Sequence, residues 1–255
     1  PAERICRFAE LMPHIKGDWA ARGERLKLQS WQVFVLSSIF GWIHRDTGKR
    51  RFRVADLFVP RKNGKSGLAS VIGNYMLAVD GEFGSEVYSG ATSQDQAMEV
   101  FRPALLMAKS TPGFLSRYGV TVNASNLCVI GTNSKFEPVI GKPGDGASPS
   151  CAIVDEYHEH RNSDLFDTMQ TGMAARQDTG RTDRKGRPIS VNLLTDSELD
   201  KVRLQADLAD DVTTARVLAA FESRKTPEDR ALFAQFLEQA YNSGEGLAQK
   251  LSPEA

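Results

Sequence analysis

The sequence predicts an α/β protein with a mainly parallel central sheet flanked by helices, followed by a helical C-terminal appendage. Two observations lead to this fold class. Short apolar segments of strand length alternate with longer segments of helical periodicity between residues 28 and 195, as in parallel sheets that are covered by helices. A glycine-containing loop, VPRKNGKSGL (59–68), stands between one predicted strand and the next predicted helix, which is the order of a strand–loop–helix unit.

The elements up to residue 110 follow from the spacing of apolar side chains. In the first long helix Val33, Leu36 and Phe40 recur at three or four residues, which places them on one helical face. Ser93 is a suitable N-cap for a later helix. Residues 1–27 are charged and mixed, which predicts a surface helix and loops. The predicted elements are a helix over 28–43, a strand over 51–59, a helix over 65–80, a strand over 85–92 and a helix over 93–110.

The second half of the chain continues this alternation up to residue 195 and then changes character. The predicted elements are strands over 126–132, 137–141 and 151–154, a helix over 164–175, a polar loop over 176–188 and a strand over 189–195. From residue 196 the pattern is that of helices only. The clearest helix, 226–241, begins with Thr226 as cap and Pro227 as its first helical residue, which favours a helix start. We therefore divide the chain into a core, 1–195, and a tail, 196–255.

Composition limits the size and the partners of the protein. The chain has 255 residues, of which 41% are hydrophobic, enough for one large α/β domain with a small appendage. Lysine and arginine number 32, as do aspartate and glutamate, so the net charge predicts no partner. Residues 1–195 hold 25 basic and 20 acidic side chains, whereas 196–255 hold 7 and 12. This asymmetry indicates a polyanion contact on the first part alone.

The cysteines and the hydropathy exclude two classes of protein. The chain has three cysteines, Cys6, Cys128 and Cys151, and no C-x-x-C pair. These features argue against a disulfide framework and a cysteine zinc site, and they fit a reducing compartment. We find no signal peptide and no apolar run near the about 18 residues that a membrane helix needs, so we expect no membrane span.

The loop 59–68 ends in the sequence G-K-S, which is typical of loops that bind phosphate. Backbone N–H groups of such a loop and of the following helix start face the phosphates, Lys65 adds a positive charge, and the Ser66 hydroxyl suits Mg²⁺. The full pattern G-x-x-x-x-G-K-[ST] requires a glycine where this chain has Val59. A surface turn rich in basic residues therefore remains the alternative for this stretch taken alone.

A second motif favours the nucleotide site. In AIVDE (152–156) an apolar strand ends in Asp155 and Glu156. A carboxylate at a strand end can hold Mg²⁺ directly or through water, and a neighbouring glutamate can orient and polarise an attacking water. The two motifs are separated by about 90 residues with one strand, 85–92, between them. Together they predict a P-loop ATPase.

The histidines that follow Glu156 suggest an alternative metal site. Asp155, His158 and His160 could serve as ligands in a metal hydrolase only if the H-x-H segment stays extended, because alternate side chains then share one side. No H-E-x-x-H motif is present, and the remaining histidines, His14 and His44, are distant in the chain. We disfavour metal catalysis by these histidines.

Four segments together resemble a known family, the large terminase subunit of tailed double-stranded DNA phages, the ATPase that pumps DNA into empty capsids. They occur in the order of that family between about residues 28 and 175, and they are WQVFVLSSIFGW (31–42), VPRKNGKSGLAS (59–70), VYSGATSQDQA (87–97) and GDGASPSCAIVDEYHEH (144–160). The resemblance implies a P-loop NTPase fold of the ASCE type. It also explains Val59, because terminases use a deviant loop that often lacks the first glycine and has a basic residue near its start, where this chain has Arg61.

The resemblance implies roles for the residues of the nucleotide site. Gln32 resembles the glutamine that reads adenine, and its amide can both donate and accept a hydrogen bond; a solvated helix residue is its alternative. Lys65 resembles the phosphate-binding lysine and Arg61 the arginine proposed to act on the γ-phosphate. An ordinary surface contact is the alternative for Arg61. The residues expected to bind nucleotide are Gln32, Arg61, Lys62, Asn63, Gly64, Lys65, Ser66 and Gly67.

The same resemblance assigns the metal and the chemical step. Ser66 and Asp155 resemble the Mg²⁺ ligands and Glu156 the catalytic glutamate, so that ATP and Mg²⁺ are the expected ligands. Family members usually carry a Ser/Thr-rich coupling motif at the end of the strand after Asp155 and Glu156. This chain offers only Thr195 in ISVNLLTDSE (189–198), and we assign the coupling role to it.

The resemblance also implies partners and a location. These are double-stranded DNA, the portal of the procapsid and the small terminase subunit, with a homo-oligomeric ring in the host cytoplasm and no membrane. Terminases carry a nuclease domain after the ATPase, and we expect none in this chain and no nuclease activity. The tail, 196–255, resembles neither that nuclease nor clearly the lid of the family. Two alternatives stay open, a truncated remnant that does not hydrolyse ATP and a helicase-like nucleic-acid ATPase.

Overall fold

The fold was analysed in a computed structural model of the chain. The structure describes residues 1–60, 62–141, 146–155, 160, 162–177, 189–194 and 214–217. Eight strands within these residues form one sheet, in the order β3-β4-β5-β2-β6-β7-β1-β8. The strands are β1 (Val54–Phe58), β2 (Glu86–Ala91), β3 (Val120–Val122), β4 (Leu127–Val129), β5 (Ser134–Ile140), β6 (Cys151–Val154), β7 (Ile189–Leu194) and β8 (Thr214–Val217).

The sheet is parallel over most of its width. All pairs from β5 through β2, β6, β7 and β1 to β8 are parallel, and only β3 and β4 run antiparallel beside β5. The strand β7 lies between β1 and β6, with Phe58 of β1 opposite Leu194 and Val154 of β6 opposite Asn192. Since the carboxyl ends of parallel strands share one edge, the segments that follow β1 and β6 emerge on the same side of the sheet.

Seven α-helices lie in the described part of the chain. They are α1 (Ala2–Leu11), α2 (Gly17–Ala21), α3 (Ser30–Gly41), α4 (Lys65–Ala78), α5 (Gln94–Ser110), α6 (Phe114–Tyr118) and α7 (Asp164–Gln177). The helix α4 is buried on every side from Leu68 to Leu77. A helix with apolar residues all round is expected inside a protein rather than on its surface, and α4 accordingly packs against the sheet, α5 and α1.

Polar side chains of α4 are satisfied by carbonyl groups of its neighbours. The Ser70 hydroxyl lies 2.7 Å from the carbonyl oxygen of Val100, and the Asn74 amide donates to the carbonyl of Ala104 at 2.9 Å, both in α5. Buried polar groups that form hydrogen bonds fix the relative position of two elements, because displacement would leave them unsatisfied. These hydrogen bonds therefore fix the position of α4 relative to α5.

A second core lies on the opposite face of the sheet, beneath α7. It contains Tyr88, Ala152, Val154 and apolar residues of α7. The Tyr88 hydroxyl donates to Glu86 Oε2 at 2.6 Å, and burial together with this bond raises the pKa of Tyr88 to about 12. At the start of β6, burial raises the pKa of the Cys151 thiol well above its ordinary value, so this cysteine is an uncharged member of the core at neutral pH.

The predicted fold class is confirmed, and most elements fall where the sequence places them. β5 begins three residues earlier than expected, at Ser134, and α7 continues to Gln177 into the predicted loop. The short strand β3 was not predicted, because Val120–Val122 is too short to carry a period. The helix α1 is more than a surface helix, because it buries Ile5 and Phe8 in the main core.

The tail differs from its prediction at the one segment that the structure describes. The prediction of helices only after residue 195 is wrong for Thr214–Val217, which form β8 and pair in parallel with β1. Pairing with an unpaired edge of a sheet satisfies backbone groups that water would otherwise bind, and this tertiary context overrides a local helical pattern. The rest of 196–255, the predicted helix 226–241 included, lies outside the described residues, and the division at residue 195 stays a prediction.

Among the helices of the described ranges, none combines the length and the apolar character that crossing a bilayer requires.

Replacement of Gly73 should show how tightly α4 packs on the sheet. A Cβ at Gly73 would lie 2.5 Å from Cε1 of Phe136 in β5. Alanine normally favours a helix over glycine by about 1 kcal/mol, but overpacking costs about 1–3 kcal/mol. We therefore expect Gly73→Ala to lower the free energy of unfolding, measured by urea denaturation.

Two further variants separate the clash from the change in helix propensity. Gly67→Ala lies in the same helix, and its Cβ would meet no atom within 4 Å, so it should not destabilise. Phe136→Leu removes the ring that Gly73→Ala would meet, and the cost of Gly73→Ala should shrink in that background. An equal cost in both backgrounds would contradict the packing that we describe.

Candidate nucleotide-binding site

The loop between β1 and α4 has a backbone conformation suited to anions. Lys62 and Gly64 have positive φ angles of 68° and 76°, whereas Asn63 between them does not. Glycine adopts this region without a steric cost, but it is uncommon for lysine and marks a constrained position. Alternation between left-handed and right-handed residues turns successive backbone N–H groups toward one side, which forms a concave anion site.

The start of α4 continues this concave surface. The helical hydrogen bonds of α4 begin with the Leu68 N–H, which donates to the carbonyl of Gly64 at 3.0 Å. The N–H groups of Lys65, Ser66 and Gly67 precede it and have no intrahelical acceptor. The helix dipole adds a partial positive charge at this end. No atom lies within 4 Å of the position that a Cβ at Gly67 would take, so a ligand can approach this turn closely.

Lys65, Ser66 and Asp155 come together at the carboxyl edge of the sheet. Lys65 Nζ lies 3.6 Å from Asp155 Oδ1, and the Ser66 hydroxyl donates to Asp155 Oδ2 at 3.5 Å. The side chains of Lys65 and Asp155 are only 11% and 5% exposed. A buried carboxylate is costly without a compensating cation, so Lys65 stabilises the charge of Asp155.

The strand β6 and its neighbour β2 determine the position of Asp155. Asp155 follows Val154, the last residue of β6, and its N–H donates to the carbonyl of Gly90 in β2 at 3.2 Å. A Cβ at Gly90 would lie 2.8 Å from Cδ2 of Leu165 in α7. Glycine at this position therefore lets α7 pack closely on β2, and the backbone of Asp155 is held from one side by the sheet.

The donor set of this site fits a magnesium ion bound next to phosphates. Mg²⁺ prefers hard oxygen ligands at about 2.1 Å in an octahedron, so adjacent ligands are about 3 Å apart. Ser66 Oγ and Asp155 Oδ2 are separated by 3.5 Å, close to that spacing. In the described part of the chain, no group of three histidine, cysteine, aspartate or glutamate side chains forms a metal site. A site with two protein oxygens suits an ion that takes its other ligands from phosphate and water.

Gln32 lies beside the loop and also caps a helix. Its Nε2 is 4.0 Å from the position that a Cβ at Gly64 would take, so the amide reaches the end of the loop. Its Oε1 accepts a hydrogen bond from the Gln29 backbone N–H at 2.9 Å, and Gln29 caps Gln32 in return. This reciprocal arrangement is a capping box at the start of α3. Gln32 is therefore more than a solvated helix residue, because it caps α3 and its amide lies near Gly64.

The structure brings together most of the residues predicted for this site. Lys62, Asn63 and Gly64 are exposed at the loop, and the partly buried residues Lys65, Ser66 and Gly67 follow them. Arg61, Glu156 and Thr195 lie outside the described residues, as does His158 of the alternative metal site. In the chain, Glu156 directly follows Asp155 and Thr195 directly follows the end of β7.

Two residues that shape the site were not predicted. Gln29 completes the cap of Gln32, and its Oε1 also accepts from the Trp31 indole N–H at 2.8 Å. Glutamine three residues after a polar residue is a sequence signal for a capping box, so this pairing was open to prediction. Gly90 supports Asp155 through its carbonyl, and nothing local in the sequence distinguishes it from an ordinary strand glycine.

Comparisons with known proteins identify the family of the chain. Residues 30–182 match the family "Terminase large subunit, ATPase domain". The chain is 30% identical over 129 residues to the "Terminase, large subunit" of Enterobacteria phage HK97, which covers 49% of this chain and 26% of that protein. It is 61% identical over 36 residues to "Protein YmfN" of Escherichia coli strain K12, which covers 14% of this chain and 8% of that protein.

The fold also matches a solved structure. The crystal structure of the HK97 bacteriophage large terminase corresponds to 96% of this chain and 54% of its own, with a TM-score of 0.63 and 21% sequence identity. The chain thus spans about half of that terminase and smaller parts of the curated relatives. Because the family match extends over more than half of the chain, the protein belongs to the terminase large subunits, and it carries their ATPase domain, a family that implies nucleotide binding and ATP hydrolysis.

Proposed function

We propose that this chain is the motor subunit of a phage terminase, which hydrolyses ATP and thereby moves double-stranded DNA into the procapsid. The observation that carries the proposal is the convergence of Lys65, Ser66 and Asp155 beneath the start of α4, beside a loop with two left-handed residues. A phosphate chain needs a cation, free N–H groups and hard oxygens for its metal, and this convergence offers all three.

Binding of ATP begins with an exchange of partners at Lys65. The Lys65 ammonium lies 3.6 Å from the Asp155 carboxylate. The β- and γ-phosphates carry more negative charge and accept from the loop N–H groups as well. Lys65 therefore turns to the phosphates, and it neutralises charge that develops on them during transfer to water.

Ser66 and Asp155 hold Mg²⁺ in this proposal. Once Lys65 has moved to the phosphates, a bound Mg²⁺ would compensate the Asp155 carboxylate in its place, so nucleotide and metal binding support each other. A Mg²⁺ ion held by Ser66 and Asp155 would supply positive charge against the negative charge of the phosphates. Ser66 contributes its hydroxyl oxygen from the first turn of α4, two residues before the buried part of the helix begins at Leu68.

Glu156 and Arg61 complete the chemical step in this proposal. Glu156 follows the metal-binding Asp155 in the chain, and a carboxylate there can orient a water for in-line attack and accept its proton. Arg61 stands three residues before Gly64, and its guanidinium can stabilise the charge on the transferred group. The leaving group is the β-phosphate of ADP, whose charge is held by the loop and by Lys65.

We assign the transmission of hydrolysis to β7. This strand lies between β6 and β1, and Thr195 follows it in the chain, so the proposed coupling residue comes directly after a strand that touches both motif-bearing strands. Translocation along any sequence requires contacts to DNA phosphates without base readout. The expected partners are double-stranded DNA, the procapsid portal, the small terminase subunit and further copies of this chain in a ring, within the host cytoplasm.

The first test measures steady-state ATP hydrolysis with Mg²⁺, with and without double-stranded DNA. We expect turnover in the unaltered chain and stimulation by DNA. Lys65→Ala removes the phosphate cation and Glu156→Gln removes the base, so each should lower kcat by at least about 100-fold. Lys109→Ala, which removes an exposed lysine from the last turn of α5, is the matched control and should retain turnover.

The other outcomes of this test identify the alternatives. Bound MgATP without turnover in the unaltered chain would favour a remnant that does not hydrolyse ATP. Stimulation by single-stranded and not by double-stranded DNA would favour a helicase-like ATPase. If nucleotide does not bind at all, the loop is a basic turn and the proposal is wrong.

The second test concerns Gln32, which we propose reads the adenine edge. Gln32→Glu keeps an oxygen that accepts from the Gln29 N–H but loses the amide donor, whereas Gln32→Ala loses both. We expect both variants to lower the preference for ATP over GTP by about fivefold, as for one net hydrogen bond. Only Gln32→Ala should also lower the free energy of unfolding, by about 1 kcal/mol. Competition binding and urea denaturation measure the two effects.

Gln29→Ala is the control for the cap. It removes the other half of the capping box and leaves the Gln32 amide in place, so it should destabilise the protein without changing nucleotide preference. The adenine role of Gln32 is refuted if Gln32→Glu and Gln32→Ala bind ATP and GTP in the same ratio as the unaltered chain.

A further inference from the structure

A β-hairpin joins α3 to β1 at the edge of the protein remote from the nucleotide loop. Its two arms are joined by the His44 N–H, which donates to the carbonyl of Lys49, and the Arg51 N–H, which donates to that of Trp42, both at 2.8 Å. Ile43 and Arg50 are opposite each other between these bonds. The hairpin leads directly into Val54, the first residue of β1.

The pairing of the two arms assigns each side chain to a face. In a hairpin, successive residues point to opposite faces and directly paired residues share one. Ile43 and Arg50 therefore lie on one face, whereas the other face carries Trp42 opposite Arg51 and His44 opposite Lys49. The Arg51 guanidinium lies 5.6 Å from the centre of the Trp42 ring, as this pairing requires. With Arg45, which is exposed in the turn, these four residues form what we call the hairpin surface.

The inner face fixes the hairpin to the core. Arg50 Nη1 lies 2.7 Å from Asp80 Oδ1, just after α4, with both side chains less than a tenth exposed. The Arg50 guanidinium also lies 5.5 Å from the centre of the Phe40 ring. A charge buried in this way cannot leave its partner without a large desolvation cost. The hairpin surface is thus held on a rigid base.

The hairpin surface carries an excess of positive charge. Residues 42–53 contain five lysine and arginine residues and one acidic residue, Asp46. Arg50 is neutralised by Asp80. Among the residues that the structure describes, no carboxylate lies within ion-pair distance of Arg45, Lys49 or Arg51. Arg45 and Arg51 are exposed and Lys49 is partly exposed, and none of the three has a counter-charge within the described part of the chain, which favours a polyanion contact.

We propose that the hairpin surface binds the phosphate backbone of duplex DNA. The choice of duplex DNA among polyanions rests on the proposed function, whereas the positive charge and its rigid base are properties of this chain alone. Lysine and arginine side chains that neutralise backbone phosphates bind any sequence, as a motor that advances along DNA requires.

The aromatic rings of the hairpin favour contact with phosphates over stacking with bases. The rings of Trp42 and Phe52 lie 5.4 Å apart, and the Arg51 guanidinium lies 5.6 and 5.9 Å from their centres. Single-strand binding needs aromatic faces that are open to bases, and these faces are occupied by each other and by Arg51. The rings instead orient the guanidinium, whose edge can donate to phosphate oxygens.

The hairpin surface and the nucleotide site are separated by the length of β1. The hairpin precedes Val54 and the nucleotide loop follows Phe58, the two ends of this strand. Five residues of strand correspond to about 15 Å. Substitutions on the hairpin surface should therefore change DNA binding without altering ATP hydrolysis in the absence of DNA.

The test measures equilibrium binding of the whole chain to a labelled 30-base-pair duplex by fluorescence anisotropy, without nucleotide, over a series of salt concentrations. Arg45→Gln together with Lys49→Gln removes two cations from the hairpin surface. We expect Kd to rise about tenfold near 0.1 M salt and the slope of log Kd against log salt to fall by about 2, as for two lost phosphate contacts. Basal ATP hydrolysis should be unchanged.

The matched control is Lys109→Gln together with Arg117→Gln, which removes one exposed lysine and one exposed arginine elsewhere. It should leave both Kd and the salt slope near those of the unaltered chain. The proposal is overturned if the unaltered chain does not bind the duplex at low salt, if the hairpin variant binds it equally well, or if the control loses as much. It is also overturned if single strands bind more tightly than the duplex.

These outcomes are independent of the proposed ATPase. A chain that binds the duplex through the hairpin surface but hydrolyses no ATP would retain this inference and lose the motor function. A chain with DNA-stimulated hydrolysis and an unaffected hairpin variant would retain the motor function and lose this inference.

Discussion

The carboxylate of Asp155 lies nearly out of solvent next to the start of α4, and the arrangement of the site follows from the need to compensate that charge. Lys65 and Ser66 reach it from the first turn of the helix, while the backbone of β2 holds it from the other side. Because an isolated buried charge is so unfavourable, the ammonium of Lys65 stabilises this carboxylate at the edge of the sheet. In the proposed function, a metal ion that arrives with the nucleotide would compensate the carboxylate when Lys65 turns to the phosphates.

The position of Asp155 relative to Lys65 and Ser66 depends on how closely the helices pack on the sheet. Gly73 lets α4 approach the ring of Phe136, and Gly90 lets α7 approach β2 from the opposite face. With helices pressed on both faces, the carboxyl ends of β1 and β6 cannot shift relative to the helix that begins between them. The geometry of the site therefore depends on the packing of the core. We expect a methyl group added at Gly73 or Gly90 to disturb the position of α4 or α7 relative to the sheet.

The sequence predicts the parts of this architecture that rest on local patterns. G-K-S after a strand and D-E after another place Lys65, Ser66 and Asp155 correctly, because the carboxyl ends of parallel strands meet at one edge. β8 was assigned to a helix, since its strand character comes from the edge of β1 and not from its own residues. The capping role of Gln32 was not predicted, because it depends on the conformation of Gln29, whereas the adenine contact implied by the resemblance stays a prediction. The hairpin surface could not be predicted from the sequence, because the pairing of Ile43 with Arg50 is needed to assign each side chain to a face.

The capping box has a consequence for how nucleotide binding would change the dynamics of the first turn of α3. A single amide ends the hydrogen-bond ladder of α3 on one side and lies beside Gly64 on the other. A base that engages this amide restricts its rotation, and the first turn of α3 then frays less often. Solvent exchange of the backbone amide protons in that turn would slow on nucleotide binding, although no atom of the turn's own backbone touches the base. If Gln32 binds adenine as proposed, the start of α3 would report the nucleotide state without a label.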